Sequence, residues 1–325
     1  MKYAGILALP FLLSPLAQAG VAEKYNGQVG AAYSAADMGD DMTSETSTVS
    51  ARWYPKGVTL NSRLPAFEID QLNGASYLSL QHNSETTEQD ALDLDGSTQT
   101  LSGRLVLLNR KLFLGASAGS MSADGDSVSG SAEADGNSLE LSLGVRTGQL
   151  ITTLSRASST SESEAYVGDA TPTLHLADYT YDLYAIADVD SSITSLGFSW
   201  VDRTPDNSVY LIEANFHQLS LDTSQSNELY EVYTNPETGE KDAPELYSRE
   251  ELLQSEQTYL GADLAVTYFV QRNLGVTAGW MRMPGQSPQV FAEATVLFAD
   301  RYELTPAVAV GEDTHRMLLG GKVRF

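Results

Sequence analysis

Four histidines, His82, His175, His217 and His315, and a set of charged residues placed inside alternating segments are where this sequence could do chemistry. Glu213 and Asn215 precede His217 by four and two residues, so all three share one face of an extended strand. An imidazole beside a carboxylate is the minimum for general acid or base work. A lipid hydrolase or protease would also need a nucleophile or an activated water there, and no GxSxG or HExxH motif supplies one. The other chemistry is electrostatic. Arg52, Arg104, Glu140, Arg146, Asp263, Glu293, Glu303, Arg316, Lys322 and Arg324 each stand in the phase opposite to the apolar residues of their segment. A charge at mid-strand is costly in hydrocarbon or in a dry core, so these positions must meet water or a counter-charge. The stretch SADGDSVSG, from Ser122, carries Asp124, Gly125 and Asp126 at a spacing that hints at calcium, but the closing glutamate of a full binding loop is absent. A solvated loop is the plainer reading, and neither a metal site nor a cofactor is expected.

The elements that must position these charges are strands. In the last ten residues, RMLLGGKVRF, Met317, Leu319, Gly321, Val323 and Phe325 alternate with Leu318, Gly320, Lys322 and Arg324. Successive side chains of a strand point to opposite sides, so this pattern describes a strand between two unlike environments. The same period recurs from Tyr25 to the end, in TVSARWY, TLSGRLVLL, SLELSLGVR, TYLGADLAVTYFV and QVFAEATVLF among others. Each run is close to the 9–11 residues that a tilted strand needs to cross an outer membrane. Helical periodicity is nowhere sustained.

Connections alternate between short ones, such as NRK from Asn109 and TGQ from Thr147, and long polar ones at 37–46, 83–98, 122–137, 157–192 and 222–257. With the two short tips near the C-terminus, the long set holds 32 of the 43 acidic residues and only two basic ones, Lys241 and Arg249. Two rims that meet different surroundings explain this segregation. The reading is an all-β fold: a transmembrane antiparallel up-and-down β-barrel of about 14 strands, with 12 or 16 as alternatives. Counting LADYTYDLYAIADV, from Leu176, as a separate strand would make the total odd, so 157–192 is assigned to a long loop that folds inward or extends its neighbours. The connection from Pro55 is long for its side and has room for a piece of strand.

Residues 1–19 have an early Lys2, a short apolar core and a small-residue end at Ala17–Gln18–Ala19, the pattern of a secretory signal peptide. Residues 20–325 then form a single barrel domain with long acidic loops. The chain has no cysteine, so the fold uses neither disulfides nor thiolate metal sites. A net charge of -24 repels nucleic acid, which is excluded as a partner.

Signal peptide, alternating strands, short turns, acidic loops and a terminal strand ending in Phe325 together resemble a Gram-negative outer-membrane β-barrel. More narrowly, SRLPAFEIDQLNGASYLSLQH, from Ser62, resembles the segment after the second strand in porins of marine gammaproteobacteria. The resemblance implies integral residence among outer-membrane lipids and lipopolysaccharide. It also implies recognition of the strand ending in Phe325 by the barrel-assembly machinery. The oligomeric state stays open, since Gly and Tyr usage departs from that of the large trimeric porins.

A lumen too wide for side chains to fill implies a porin-like channel for passive diffusion of small hydrophilic solutes or ions, without enzymatic activity. Arg52, Arg104, Arg146, Arg316, Lys322 and Arg324 would then face Glu213, Asp263, Glu293 and Glu303 across the lumen and set up a transverse field. Glu140 and His217 complete the lining set. The alternatives are simple neutralisation of a solvated interior, a plugged barrel enzyme using His217, and an adhesion or structural protein with acidic loops.

Overall fold

A computed structural model describes residues 24–37, 42–59, 75–89, 92–127, 130–169, 179–203, 209–235, 238, 241–271, 273–284, 286–299, 301–312 and 314–325. The expected signal peptide at 1–19 and residues 60–74 of the connection from Pro55 lie outside these residues. The strands are β1 (Lys24–Asp37), β2 (Thr43–Thr59), β3 (Tyr77–Gln89), β4 (Leu92–Leu107), β5 (Leu112–Ser127), β6 (Gly130–Thr147) and β7 (Leu150–Asp169). They continue with β8 (Tyr179–Arg203), β9 (Val209–Tyr233), β10 (Glu245–Gln271), β11 (Leu274–Arg282), β12 (Gln289–Phe298), β13 (Tyr302–Gly311) and β14 (His315–Arg324). Every strand pairs antiparallel with its sequence neighbours, and β1 pairs with β14, so the sheet closes as a 14-strand up-and-down barrel.

Closure leaves no unpaired edge in the membrane zone, where no water can satisfy backbone groups. At the seam the backbone N–H of Asn26 donates to the carbonyl of Phe325 at 2.8 Å, and that of Phe325 donates to Gly27 at 2.9 Å. A Cβ at position 27 would fall 2.8 Å from the tip of the exposed Phe325 ring and would displace it. The turn between β6 and β7 needs Gly148, at φ +63°.

One face of each strand is apolar and exposed. Val49, Leu80, Leu101, Leu105, Leu141, Leu143, Leu154, Leu196, Phe216, Leu264, Val290 and Leu319 all lie in the outward phase of their strands. Trp53, Tyr268, Phe298 and Phe325 are exposed near the short-turn ends, and the Trp200 and Tyr210 rings meet edge to face at 5.5 Å at the same level. This is the aromatic girdle of a headgroup interface. Such an apolar belt on a closed barrel is stable only against acyl chains. Leu143→Arg, at mid-belt, is therefore expected to cost about 2–4 kcal/mol, while Ser142→Arg on the inner face costs far less. Urea unfolding of protein folded into lipid vesicles checks the difference.

Most of the polar segments read as loops are sheet, and of the two options for 157–192, folding inward or extending its neighbours, the second holds. Instead of leaving the sheet these segments continue it: β7 runs on to Asp169, β8 begins at Tyr179, β9 reaches Tyr233 and β10 starts at Glu245. LADYTYDLYAIADV thus supplies the start of β8 from Tyr179 onward, and the strand count stays even. The segments 83–98 and 122–137 are largely strand as well. Main-chain ladders need no apolar side chains, and alternating Ser, Thr, Glu and Tyr suit a sheet wetted on both faces.

The rim is uneven. Strands β8, β9 and β10 have 25, 25 and 27 residues, whereas β11 has 9 and β12, β13 and β14 have 10 each. At about 3.3 Å per residue the long strands far exceed a belt of about 25 Å, so one side of the barrel stands high above the membrane. The last β10–β11 pair is Ala262 with Arg282, which leaves β10 from Glu245 to Gly261 without a strand partner on that side among the described residues. Bulges at Leu246/Ser248 and Glu251/Leu253, with Glu245, Arg249, Glu250 and Glu251, protect this edge from adventitious pairing. At the tip Tyr230 donates to Glu228 at 2.7 Å, and Arg249 lies 3.3 Å from the same carboxylate. That hydrogen bond, with burial, pushes the Tyr230 phenol up to about 12, so it remains a donor.

Above the apolar belt the outer face turns acidic in ladders. Asp95, Asp124, Glu133 and Glu164 are direct partners across β4–β7, Asp135, Glu162 and Asp188 across β6–β8, and Asp190, Asp222 and Glu256 across β8–β10. Like charges directly opposite destabilise a sheet by about 0.2–1 kcal/mol each. Raising ionic strength screens them. Protease resistance of these hairpins is thus expected to increase with salt, and a decrease would mean that attractive ion pairs dominate there.

Candidate functional site

The site is the inner face. All twelve charged or histidine positions expected to line it lie in the phase opposite to the exposed apolar belt of their strands. Between them run the hydroxyls of Thr100, Ser102, Ser117, Ser142, Thr153 and Ser199, while Gly115, Gly144 and Gly197 contribute no side chain. The result is a cavity of about 520 Å³ against the β3–β9 wall. A second, of about 450 Å³, lies against β12–β14 and β1–β3 and is lined by Gln28, Ser50, Ser79, Thr295 and Thr305. Among the described residues, no three of His, Asp and Glu stand close enough to hold a metal ion.

The expectation of a polar interior holds at mid-height and fails at the short-turn end. There the inner face is apolar and buried: Tyr25, Tyr54 and Val58 cluster on one side, and Val209, Leu211 and Phe269 on another. Phe113 and Leu297 are buried at the same end. Near this end the period-2 pattern names the inward phase but does not distinguish a wet position from a packed one.

The basic residues are threaded through these aromatics. Arg324 lies 5.2 Å from the Tyr25 ring, Arg52 4.2 Å from Tyr77, and Arg104 and Arg146 at 4.4 and 5.6 Å from Phe113. Tyr54 bridges Tyr25 and Tyr77 with ring centroids 5.5 and 6.3 Å away. Arginine and ring thus alternate from β14 to β6, around half the barrel. Cation–π contact fixes each guanidinium and keeps the like charges apart.

Opposite, β9, β10 and β12 carry Glu213, Asp263 and Glu293, the last accepting a hydrogen bond from Thr295 at 3.1 Å. Three positions depart from the expected two-wall arrangement. Glu303 does not face the basic residues across the lumen. It pairs with them locally, accepting from Lys322 at 2.8 Å and from Arg324 at 2.9 Å, because β13 and β14 are neighbours. Glu140 sits on the basic side, 3.5 Å from the Ser117 hydroxyl. Arg316 lies at the opposite end of β14 from Arg324, near the outer rim, paired with Ala36 and Ala309.

On the enzyme alternative, His217 pairs with a carboxylate on the same face of its own strand, Glu213. Its contacts run across strands instead: Nε2 is 2.8 Å from Asp263 Oδ2, and Nδ1 is 2.8 Å from Ser195 Oγ. Asn215 donates to the other oxygen of Asp263 at 2.7 Å. Sequence reading did not single out Ser195. The only signal for it is the β8–β9 register, which places it opposite His217.

A closed antiparallel barrel with a lipid-facing apolar belt, an aromatic girdle and a charged interior is an integral β-barrel of the outer membrane. No protein-family model matches the chain, and no curated protein matches it. Among solved structures it is similar to the outer membrane protein Omp33 of Acinetobacter baumannii, with TM-score 0.46 and 13% identity over 93% of this chain and 99% of that one. It is also similar to the translocator domain of the autotransporter NalP of Neisseria meningitidis, with TM-score 0.44 and 13% identity over 98% and 94%. The toluene transporter TbuX of Ralstonia pickettii gives TM-score 0.48 and 8% identity over 93% and 90%.

Proposed function

We propose that the protein is a channel for passive diffusion of small hydrophilic solutes or ions across the outer membrane. The observation that carries this reading is the mid-height lining: hydroxyls, charges and glycines, with room left between them. The 14 strands, about 4.8 Å apart and tilted about 40°, enclose a backbone cylinder about 14 Å in radius, too wide for such short side chains to fill. The apolar, arginine-threaded layer at the short-turn end narrows the path. There the cationic half-ring opposes Glu213 and Glu293, and their field orients dipolar solutes and biases ion passage. Conduction of this kind needs no catalytic group.

Liposomes containing the protein should swell in isotonic solutions of small sugars at rates that fall with solute size. Swelling no faster than that of empty liposomes would rule out a diffusive pore. Phe325, exposed at the lipid-facing end of the last strand, is the residue we propose the barrel-assembly machinery reads. Deleting it should lower the amount of folded protein in the outer membrane several-fold, with export unaffected; an unchanged amount contradicts this role.

A further inference from the structure

We propose that Ser195 is an activated nucleophile on the lumen wall, and that the barrel cleaves small esters that enter it. Ser195 of β8 pairs across the sheet with His217 of β9, and His217 in turn contacts Asp263 of β10. The tautomer in which Nδ1 can accept from Ser195 carries its ring hydrogen at Nε2, facing Asp263 Oδ2 at 2.8 Å. The Nδ1 lone pair then faces Ser195, whose hydroxyl donates to it at 2.8 Å. Nucleophile, base and orienting acid are recognised by these roles and not by their place in the sequence. Asn215 holds the remaining oxygen of Asp263 at 2.7 Å and so locks the carboxylate that orients the ring.

Other inner-face hydroxyls meet a hydroxyl or a carboxylate: Ser79 and Ser102 share a hydrogen bond of 2.6 Å, Thr267 and Thr277 one of 2.9 Å, and Ser44 and Thr295 donate to Glu85 and Glu293 at 2.8 and 3.1 Å, so none of these faces an imidazole. Ser195 does not itself line the cavity of about 520 Å³, but Gly197 and Asn215, each two residues from Ser195 and His217 on the same face, line its near end, so an acyl group held there is next to the serine. Arg104 and the hydroxyls on the far side of that cavity suit an ester that also carries a carboxylate or hydroxyl groups.

In the reaction, Ser195 Oγ bonds to the ester carbonyl carbon as its proton passes to Nδ1 of His217. The carbonyl carbon–alkoxy bond breaks, and the leaving alcohol takes that proton. Water, deprotonated by the same nitrogen, then attacks the acyl-serine and releases the carboxylic acid, restoring the hydroxyl. The strand amides around Ser195 are committed to the sheet ladder and offer no oxyanion hole. The expected gain is therefore that of general-base activation alone, about 10²–10⁴-fold.

The test exposes the complete mature barrel, folded in detergent, to p-nitrophenyl acetate, following nitrophenolate release and mapping acetyl groups by peptide mass. Acetylation at Ser195 should outrun that at Ser79 and Ser102 at least 100-fold, and Ser195→Ala or His217→Gln should reduce release by a similar factor. Acetyl groups spread evenly over the lumen serines of the unmodified protein, or an undiminished rate in correctly folded His217→Gln, would overturn the proposal. The activity rests on solutes reaching the lumen, which the swelling assay reports independently.

Discussion

Glu303→Ala is expected to destabilise the folded barrel by about 3–5 kcal/mol, the cost of removing one partner from a buried ion pair. The side chains of Glu303 and Arg324 are only 5% and 3% exposed, and they meet at 2.9 Å. Leu297, itself 1% exposed, is the cross-strand partner of Glu303 on the same inner face. Loss of the carboxylate leaves a guanidinium charge in this packed layer, beside the seam where β14 closes on β1. Lys322 contacts the same carboxylate at 2.8 Å, yet its side chain is 49% exposed. Lys322→Ala should therefore cost no more than about 1 kcal/mol. The contrast between the two variants, read by urea unfolding in vesicles with tryptophan fluorescence, is the decisive quantity. Equal losses would mean that burial does not govern the pair.

The second large effect is on ion selectivity. Arg104 and Arg146 flank the Phe113 ring and line the inner wall where the path narrows. A unit charge about 6 Å from a permeating ion in water contributes about 0.7 kcal/mol. Each arginine favours an anion and disfavours a cation by that amount, so removing both in Arg104→Ala/Arg146→Ala should lower the anion-to-cation permeability ratio about 100-fold in dilute salt, since about 1.4 kcal/mol of difference corresponds to a factor of ten. The reversal potential under a salt gradient moves toward cation selectivity accordingly. Glu213→Gln should move it the other way by a smaller amount. An unmoved potential in the double arginine variant would place these residues outside the ion path.

Much of this architecture is legible in the sequence because the period of a strand is two and the belt residues are strongly apolar. The run Leu101, Gly103, Leu105, Leu107 against Thr100, Ser102, Arg104 announces both faces at once, and the inward phase of Arg146, Asp263 and Lys322 follows from the same contrast. Where the contrast vanishes, so does the signal. SSTSESE, from Ser158, alternates hydroxyl with carboxylate, and both faces of its strand are wet, so the eye reads a loop where the main chain continues its ladder. The same blindness hides the packed end of the lumen, where Tyr54 and Val209 occupy inward positions that the pattern alone assigns to water.

Side-chain partnerships depend on register, which one chain segment cannot reveal. Ser195 and His217 are 22 residues apart, and Asp263 is 46 beyond His217. Only the β8–β9–β10 pairing brings them together, so the sequence suggested the nearer Glu213. Glu303 is a similar case: its charge pointed to an acidic wall, but its neighbour in the sheet is the strand that carries Lys322 and Arg324.

Planar-bilayer recording tests the central claim most directly, that one face of this barrel meets lipid while the other encloses a continuous water path. Purified protein should insert and give discrete, reproducible current steps in potassium chloride, with a selectivity that the two arginine substitutions shift. Protein that inserts stably into the bilayer, resists extraction and carries no current at any voltage would contradict an open lumen.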